Sequence, residues 1–190
     1  SDYVKGVVPG TVFTAYVEAG TVPDPNYADN IYKVDETFYN RPFWYRTEFE
    51  LPSSYSEGKR VWLHFDNTNR FADFYFNGEK ISGTKTSTKD VSGHMLRSKF
   101  DVTNLIKKSG KNVIAVLITD ADQKKTRKAK DPYGVACSPS YLAGAGWDWM
   151  PYVPGRLAGI TGNAYLVVTG DVVMEDPWAV SYTHLTLPTT

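Results

Sequence analysis

The stretch Trp44–Leu51, WYRTEFEL, indicates the fold class of this chain because its side chains alternate in character. Every second residue from Tyr45 to Leu51 would point to one face of an extended strand, while Arg46, Glu48 and Glu50 would point to the other. Such alternation is typical of an antiparallel sheet that buries only one face. The stretch therefore predicts a half-buried antiparallel strand.

After this stretch, the sequence predicts further strands that are separated by turns. Further strands are predicted, in chain order, at residues 61–65, 71–76, 79–81, 95–100, 113–118, 165–168 and 172–174. Asn77-Gly78 is a strong hairpin signal. The run 113–118 is apolar throughout, which favours a strand buried on both faces. Since the Cys…Trp…Cys pattern of immunoglobulin domains is missing, we expect an all-β antiparallel sandwich of the jelly-roll type.

Between the strands, the sequence predicts one short helix and several loops. Thr11 can cap a helix that runs to about Ala19, where Gly20 is the expected stop. Residues 85–93 are polar and favour a surface loop, and residues 101–106 favour a short helical turn capped by Asp101 or Thr103. From 119 to 159 there is no clear periodicity, and loops of that length are usually functional or disordered.

Composition excludes several classes of function. The 190 residues contain 21 Lys and Arg against 21 Asp and Glu, so the formal net charge is zero. We therefore expect neither nucleic acid nor an anionic membrane to be the partner. No apolar run approaches the roughly 20 residues of a membrane-spanning helix. The basic run 124–130 follows Asp120 and Asp122, precedes Asp131 and lacks interleaved aromatics, so it favours a solvated loop.

Metal, cofactor and nucleophile signals are missing from the sequence. Cys137 is the only cysteine, and no His-x-x-x-His spacing, nucleophile elbow or phosphate-binding glycine loop occurs. His64 would point away from the apolar face of its strand, and an outward or cleft-lining position is the expectation. We predict no metal site, no cofactor and no catalytic residue in this chain.

The stretch Gly144–Pro151, GAGWDWMP, holds the residue types best suited to ligand recognition, and it lies inside the predicted long loop. Trp147 and Trp149 flank Asp148, and glycines and a proline frame all three. Sugars are recognised by such a set, since indoles stack on their C–H faces and a carboxylate accepts hydroxyl hydrogen bonds. Alternatively, the tryptophans only pin the loop to the sandwich or to a neighbouring domain. The residue types alone do not decide between sugar binding and anchoring of the loop.

The two ends of the chain differ from its middle. Residues 180–190, VSYTHLTLPTT, look like the translation of a sequencing-library transposon adapter and are expected to be non-native. We expect one domain at 1–179, truncated at its start. We also expect the native protein to continue beyond Ala179, so that the chain is a fragment.

Taken together, the motifs resemble the N-terminal galactose-binding-like jelly-roll domain of glycoside hydrolase family 2. Within that family they are similar to the β-mannosidase and exo-β-glucosaminidase branch. The most discriminating motif is Gly146–Pro151. The others that carry the resemblance are Val8–Val12, Pro23–Tyr27, Trp44–Phe49, Phe74–Gly78 and Phe100–Ile106.

The resemblance implies an accessory role in a retaining exo-β-glycosidase. In such enzymes an immunoglobulin-like domain and a barrel follow the jelly roll, and two glutamates of the barrel perform the chemistry. It also implies that Asp148 and Trp147, supported by Trp149, reach the active site near a terminal β-linked sugar. The parent protein would be periplasmic or secreted. A stand-alone carbohydrate-binding module and a purely structural spacer are the alternatives, and fold alone does not separate them.

Overall fold

The fold is organised by one 17-residue strand that takes part in both layers of a sandwich. The computed structural model describes residues 3–39, 41–55, 60–83, 91–119 and 151–179. Its strands are β1 Gly10–Thr11, β2 Phe43–Phe49, β3 Arg60–Phe76, β4 Glu79–Lys80, β5 Val91–Asp101, β6 Asn112–Thr119, β7 Gly159–Ile160 and β8 Ala164–Thr169. Helix α1 spans Val12–Glu18, and short 3-10 helices span Asn30–Lys33 and Gly155–Leu157.

All strand pairs are antiparallel, as the alternating pattern predicts. The first part of β3, Arg60–Phe65, pairs with β8, and its last part, Phe71–Phe76, pairs with β6. Strand β2 lies on the other edge of β6, and β5 pairs with both parts of β3. The predicted all-β antiparallel sandwich with one short helix is confirmed.

Strand β3 changes its inward face midway, which the sequence showed only as two separate strands. Val61, Leu63 and Phe65 are buried at odd positions, whereas Phe74 and Phe76 are buried at even positions. The ladder with β5 shifts register between Phe65 and Arg70, where the strand turns from one layer into the other. The expectation of strands at 61–65 and 71–76 is thus corrected to one continuous strand.

Local signals at turns and caps are confirmed. Thr11 is the N-cap of α1, and its hydroxyl accepts a hydrogen bond from the Thr14 amide at 3.1 Å. Asn77 and Gly78 both have positive φ, 50° and 91°, as a two-residue hairpin turn of the primed type requires. These positions needed no tertiary information.

Three expectations are wrong in detail. Residues 91–93 belong to β5 and not to a surface loop. Residues 172–174 form no strand: no described strand pairs with them, and Val172 and Met174 are exposed. Strand β6 buries Val116 and Ile118 on one face, but its other face is only half-buried. By contrast, the short helical turn expected at 101–106 is present: the Val102 carbonyl accepts the Leu105 and Ile106 amide hydrogens, both at 3.0 Å, and the Asp101 carboxylate accepts the Thr103 amide hydrogen at 3.0 Å.

A buried polar network joins the hairpin to β6. The Asn112 side chain is fully buried, accepts the Lys107 amide hydrogen at 2.8 Å and donates to the Lys107 carbonyl at 3.0 Å. Asn77 donates to the Asn112 carboxamide oxygen at 2.9 Å and accepts the Val113 amide hydrogen at 2.8 Å. Buried amides of this kind are satisfied only as a set.

We expect Asn112→Ala to lower the free energy of unfolding by about 2–4 kcal/mol, because it removes the side-chain partner of the Lys107 amide and carbonyl and one of the two acceptors of the Asn77 carboxamide. Asn26→Ala is the control, since Asn26 is exposed and its amide bonds only Asp24; it should cost less than about 1 kcal/mol. Denaturant unfolding of both variants measures the difference. Equal losses would contradict the assignment of the Asn112 network as structural.

Within the described ranges, no helix is long and apolar enough to cross a membrane.

Candidate functional site at the base of the tryptophan loop

The residues predicted to bind sugar, Trp147, Asp148 and Trp149, lie outside the described residues, as do Cys137, the basic run 124–130 and residues 180–190. The structure does describe the residues on either side of 120–150, the stretch that the sequence predicts to be a loop. Strand β6 ends at Thr119, and the described chain resumes at 151 and continues into β7. We call the segment 151–160 the loop base.

The loop base is tied to the domain by hydrogen bonds from three directions. Glu36 accepts the Gly155 amide hydrogen at 2.9 Å, and the Asn69 carboxamide donates to the Leu157 carbonyl at 2.7 Å. The Val12 amide donates to the Ala158 carbonyl at 2.8 Å. Strand β7 then pairs with both β1 and β3. The loop base is therefore fixed to the start of α1 and to the middle of β3.

Two glycines allow this close approach. Gly155 has φ +79°, and a Cβ there would lie 2.4 Å from the Phe13 Cβ. A Cβ on Gly159, whose φ is +155°, would lie 2.6 Å from the Gly10 carbonyl oxygen. Only a residue without a side chain satisfies both the backbone conformation and the space.

An aromatic cluster lies between the two ends of the loop. It consists of Phe13, Tyr16, Phe38, Tyr39 and Phe43, whose rings meet mostly edge to face at centroid distances of 5.0–6.3 Å. Phe13 contacts Gly155 on the returning side. Phe43 pairs with Ile118, next to the residue where the loop leaves. The cluster thus gives the loop base an apolar support at Gly155.

Two tyrosines at the aromatic cluster have raised pKa values. Burial raises the pKa of Tyr39 to about 12, with the Glu36 carboxylate adding to the effect. Burial likewise raises the pKa of Tyr45, beside the cluster, to about 12. Both phenols are neutral at neutral pH and act as packing groups there.

A second group of polar and aromatic side chains lies on the outer face of β3 and β8. His64 stacks on Tyr165 with ring centroids 5.2 Å apart, and the Tyr165 hydroxyl donates to Asp66 at 3.0 Å. Burial lowers the pKa of His64, and the Lys99 ammonium adds to the shift. His64 lies on the face opposite to Leu63 and Phe65, so its predicted outward position is confirmed. The sequence did not reveal its stack with Tyr165, which depends on strand pairing between distant segments.

In the described part of the chain, no group of three or more His, Cys, Asp or Glu residues is arranged to hold a metal ion.

The described strands define a class, namely an all-β antiparallel sandwich module. Residues 1–162 match the family described as "Glycosyl hydrolase 2 galactose-binding domain-like". The chain belongs to this family, as its motifs predicted. The matched residues include the Gly146–Trp149 motif.

Curated relatives agree on the branch. The chain is 30% identical to mannosylglycoprotein endo-β-mannosidase of Lilium longiflorum, over 94% of this chain and 19% of that protein. It is 27% identical to an exo-β-D-glucosaminidase of Streptomyces avermitilis, over 94% of this chain and 17% of that protein. It is also 29% identical to β-mannosidase of Rattus norvegicus, over 80% and 18%. The chain spans about a fifth of the length of these relatives.

Solved structures share the fold. β-D-Mannosidase of Dictyoglomus thermophilum aligns with a TM-score of 0.65 at 23% identity, over 90% of this chain and 21% of that one. The exo-chitosanase of Amycolatopsis orientalis aligns with the same TM-score and identity, over 90% and 17%.

We expect Gly155→Ala to destabilise the domain by about 1–3 kcal/mol more than Gly20→Ala does. The two glycines have similar positive φ, +79° and +70°, but only Gly155 is crowded by Phe13, while nothing lies within 4 Å of a Cβ at Gly20. Backbone strain is thus matched, and overpacking accounts for the difference. Thermal and denaturant unfolding measure it. Equal destabilisation would mean that the loop base is loosely packed against α1.

Proposed function

We propose that this chain is the non-catalytic accessory domain of a retaining exo-β-glycosidase of the β-mannosidase or exo-β-glucosaminidase type. In this role it presents Trp147, Asp148 and Trp149 to the terminal β-linked sugar of a substrate held in a barrel outside this chain. The observation that carries the proposal is the fixed loop base. Gly155, six residues beyond Trp149, is bonded to Glu36 and packed on Phe13.

A fixed base matters because recognition depends on pre-positioned groups. A loop ordered only on binding would lose part of its interaction energy to conformational entropy. Here the loop returns to backbone held by Glu36, Asn69 and α1. Binding residues carried on loops that a rigid scaffold positions are a common arrangement.

The chemistry of the three side chains suits a sugar. Indole faces pack against the C–H surface of a pyranose, and an aspartate accepts hydrogen bonds from its hydroxyls. Zero net charge is compatible with a neutral partner. The catalytic pair of carboxylates would come from the barrel, across the scissile bond at the spacing of about 5–5.5 Å that retention requires.

The relatives support the substrate class. Their names describe enzymes that act on β-mannosides or β-glucosaminides, and one of them is an endo-acting enzyme. We propose that the parent protein acts on a sugar of this group. We further propose a domain at 1–179 followed by immunoglobulin-like and barrel domains, with residues 180–190 as non-native sequence.

We expect Asp148→Ala in the longer protein encoded by the source gene to lower kcat/KM for an aryl β-mannoside or β-glucosaminide by about 10–100-fold. This is the effect of losing one charge-assisted hydrogen bond to substrate. Asp131→Ala, which removes an aspartate from the same loop sequence, is the matched control and should change kcat/KM less than twofold. Steady-state kinetics on both variants, with thermal unfolding to confirm equal stability, provide the test.

Three results would contradict the proposal. Unchanged kcat/KM in Asp148→Ala would favour a structural spacer. Equal losses of kcat/KM in both aspartate variants would show that the effect is not specific to Asp148. Tight calorimetric binding of mannose or glucosamine to the 190-residue chain alone, lost in Asp148→Ala, would favour a stand-alone binding module.

A further inference from the structure

A short segment after the last strand, residues 170–176, folds back over the outer face of the sheet. The chain bends at Asp171 and again at Asp176, where φ is +43°. Between the two bends Val173 is half-buried, whereas the residues on either side of it are 91% and 81% exposed. One side of the segment therefore faces the protein. We call residues 170–176 the strap.

The strap crosses from one side of the sheet to the other. Strands β8 and β5 both pair with residues 62–65 of β3, so they lie on its two sides. The strap begins after Thr169, the last residue of β8, and its Glu175 forms an ion pair with Lys99 of β5. Two strand spacings, about 10 Å, separate β8 from β5, and six residues of extended chain reach about 20 Å. The strap is long enough for this crossing.

Trp62, on the central strand β3, contacts the residues that hold both ends of the strap. Its Nε1–H donates to Thr169 Oγ1 at 3.0 Å, where the strap begins. Its ring lies under the Lys99 ammonium, with 4.1 Å between the nitrogen and the ring centroid. Lys99 in turn donates to the Glu175 carboxylate. One rigid side chain thus positions the two points between which the strap runs.

The charges around Glu175 favour this position. The hydrogen bond from Lys99 lowers the pKa of the Glu175 carboxyl, and the charge of the ammonium adds to the effect. His64 is the cross-strand neighbour of Lys99, and burial and the Lys99 ammonium lower its pKa, so it is neutral at neutral pH. Lys99 is therefore the cation that holds Glu175.

The contact is stronger than an ordinary surface ion pair. An exposed pair alone contributes little, because water screens both charges. Here the Lys99 side chain is only 27% exposed and lies on an indole face, which also attracts the cation. The strap is short, so closing it costs little chain entropy. The half-buried Val173 adds apolar contact on the same side.

We propose that the strap is a latch in which Glu175 binds Lys99 over the Trp62 ring, and that it fixes the point from which the chain continues. In the latched position residues 177–179 start above β5 and not from the end of β8. The bend at Asp176 follows the ion pair directly, so the chain changes direction there. This inference concerns the path of the chain and does not depend on the proposed sugar-binding role.

Backbone ¹⁵N relaxation of the 190-residue chain tests the latch. We expect the amides of residues 172–175 to have order parameters near the rigid-backbone value of about 0.85, and Glu175→Gln to lower them below about 0.6. The Glu175 side chain is 65% exposed, so the substitution should leave the fold intact. Glu18→Gln is the matched control, because Glu18 is an exposed glutamate at the end of α1. It should leave the order parameters of the strap unchanged.

A second measurement tests whether Lys99 is the partner. In Lys99→Met the pKa of the Glu175 carboxyl, followed by NMR titration, should rise to its ordinary range. The strap should become as mobile as in Glu175→Gln, and the double variant no more mobile than either single variant, because both changes remove the same contact. Low order parameters in the unmodified chain, unchanged values in Glu175→Gln, an equal change in Glu18→Gln, or a pKa of Glu175 that does not respond to Lys99→Met would overturn the proposal.

Discussion

The structure depends on the change of inward face in the middle of β3. This single strand contributes Leu63 and Phe65 to one layer and Phe74 and Phe76 to the other. Its inward-facing positions must therefore change from odd to even numbers between the two pairs. That change buries residues whose polar groups then need partners inside the protein. The corner of the sandwich is consequently both the place where the layers join and the place where polar side chains are buried.

The loop base is bonded to β3 at this corner. Asn69 lies there, is 1% exposed, and donates to the Leu157 carbonyl. Its backbone pairs with Gly159, and the neighbouring Asn67 carbonyl accepts the Gly162 amide hydrogen at 3.1 Å. The loop base is thus held by the residues at which β3 changes its inward face. The change of inward face in β3 therefore determines both the fold and the position of the loop base. The aromatic cluster also contacts the loop base, where Phe13 packs against Gly155.

What the sequence predicted followed from local chemistry. The Thr11 cap and the Asn77-Gly78 turn depend on neighbours within a few residues, and both are confirmed. The continuity of β3 was missed because polar residues at the corner resemble a turn, although their partners are distant in sequence, such as the Leu157 carbonyl, which lies 88 positions from Asn69. The strand expected at 172–174 failed for a related reason, since alternation indicates a strand only when an edge is there to pair with it. The roles of Asp148 and its flanking tryptophans came from motif chemistry and family resemblance, and remain a proposal.

Amide hydrogen exchange in Asn69→Ala tests most directly whether the β3 corner anchors the loop base. We expect the Gly155 and Gly162 amides to exchange at least tenfold faster than in the unmodified chain. This corresponds to about 1.4 kcal/mol of lost local stability. The amides of β6, which pair with β2 and the far part of β3, serve as the internal reference and should be unchanged. Unaltered exchange at Gly155 and Gly162, or a uniform increase that includes β6, would contradict the account.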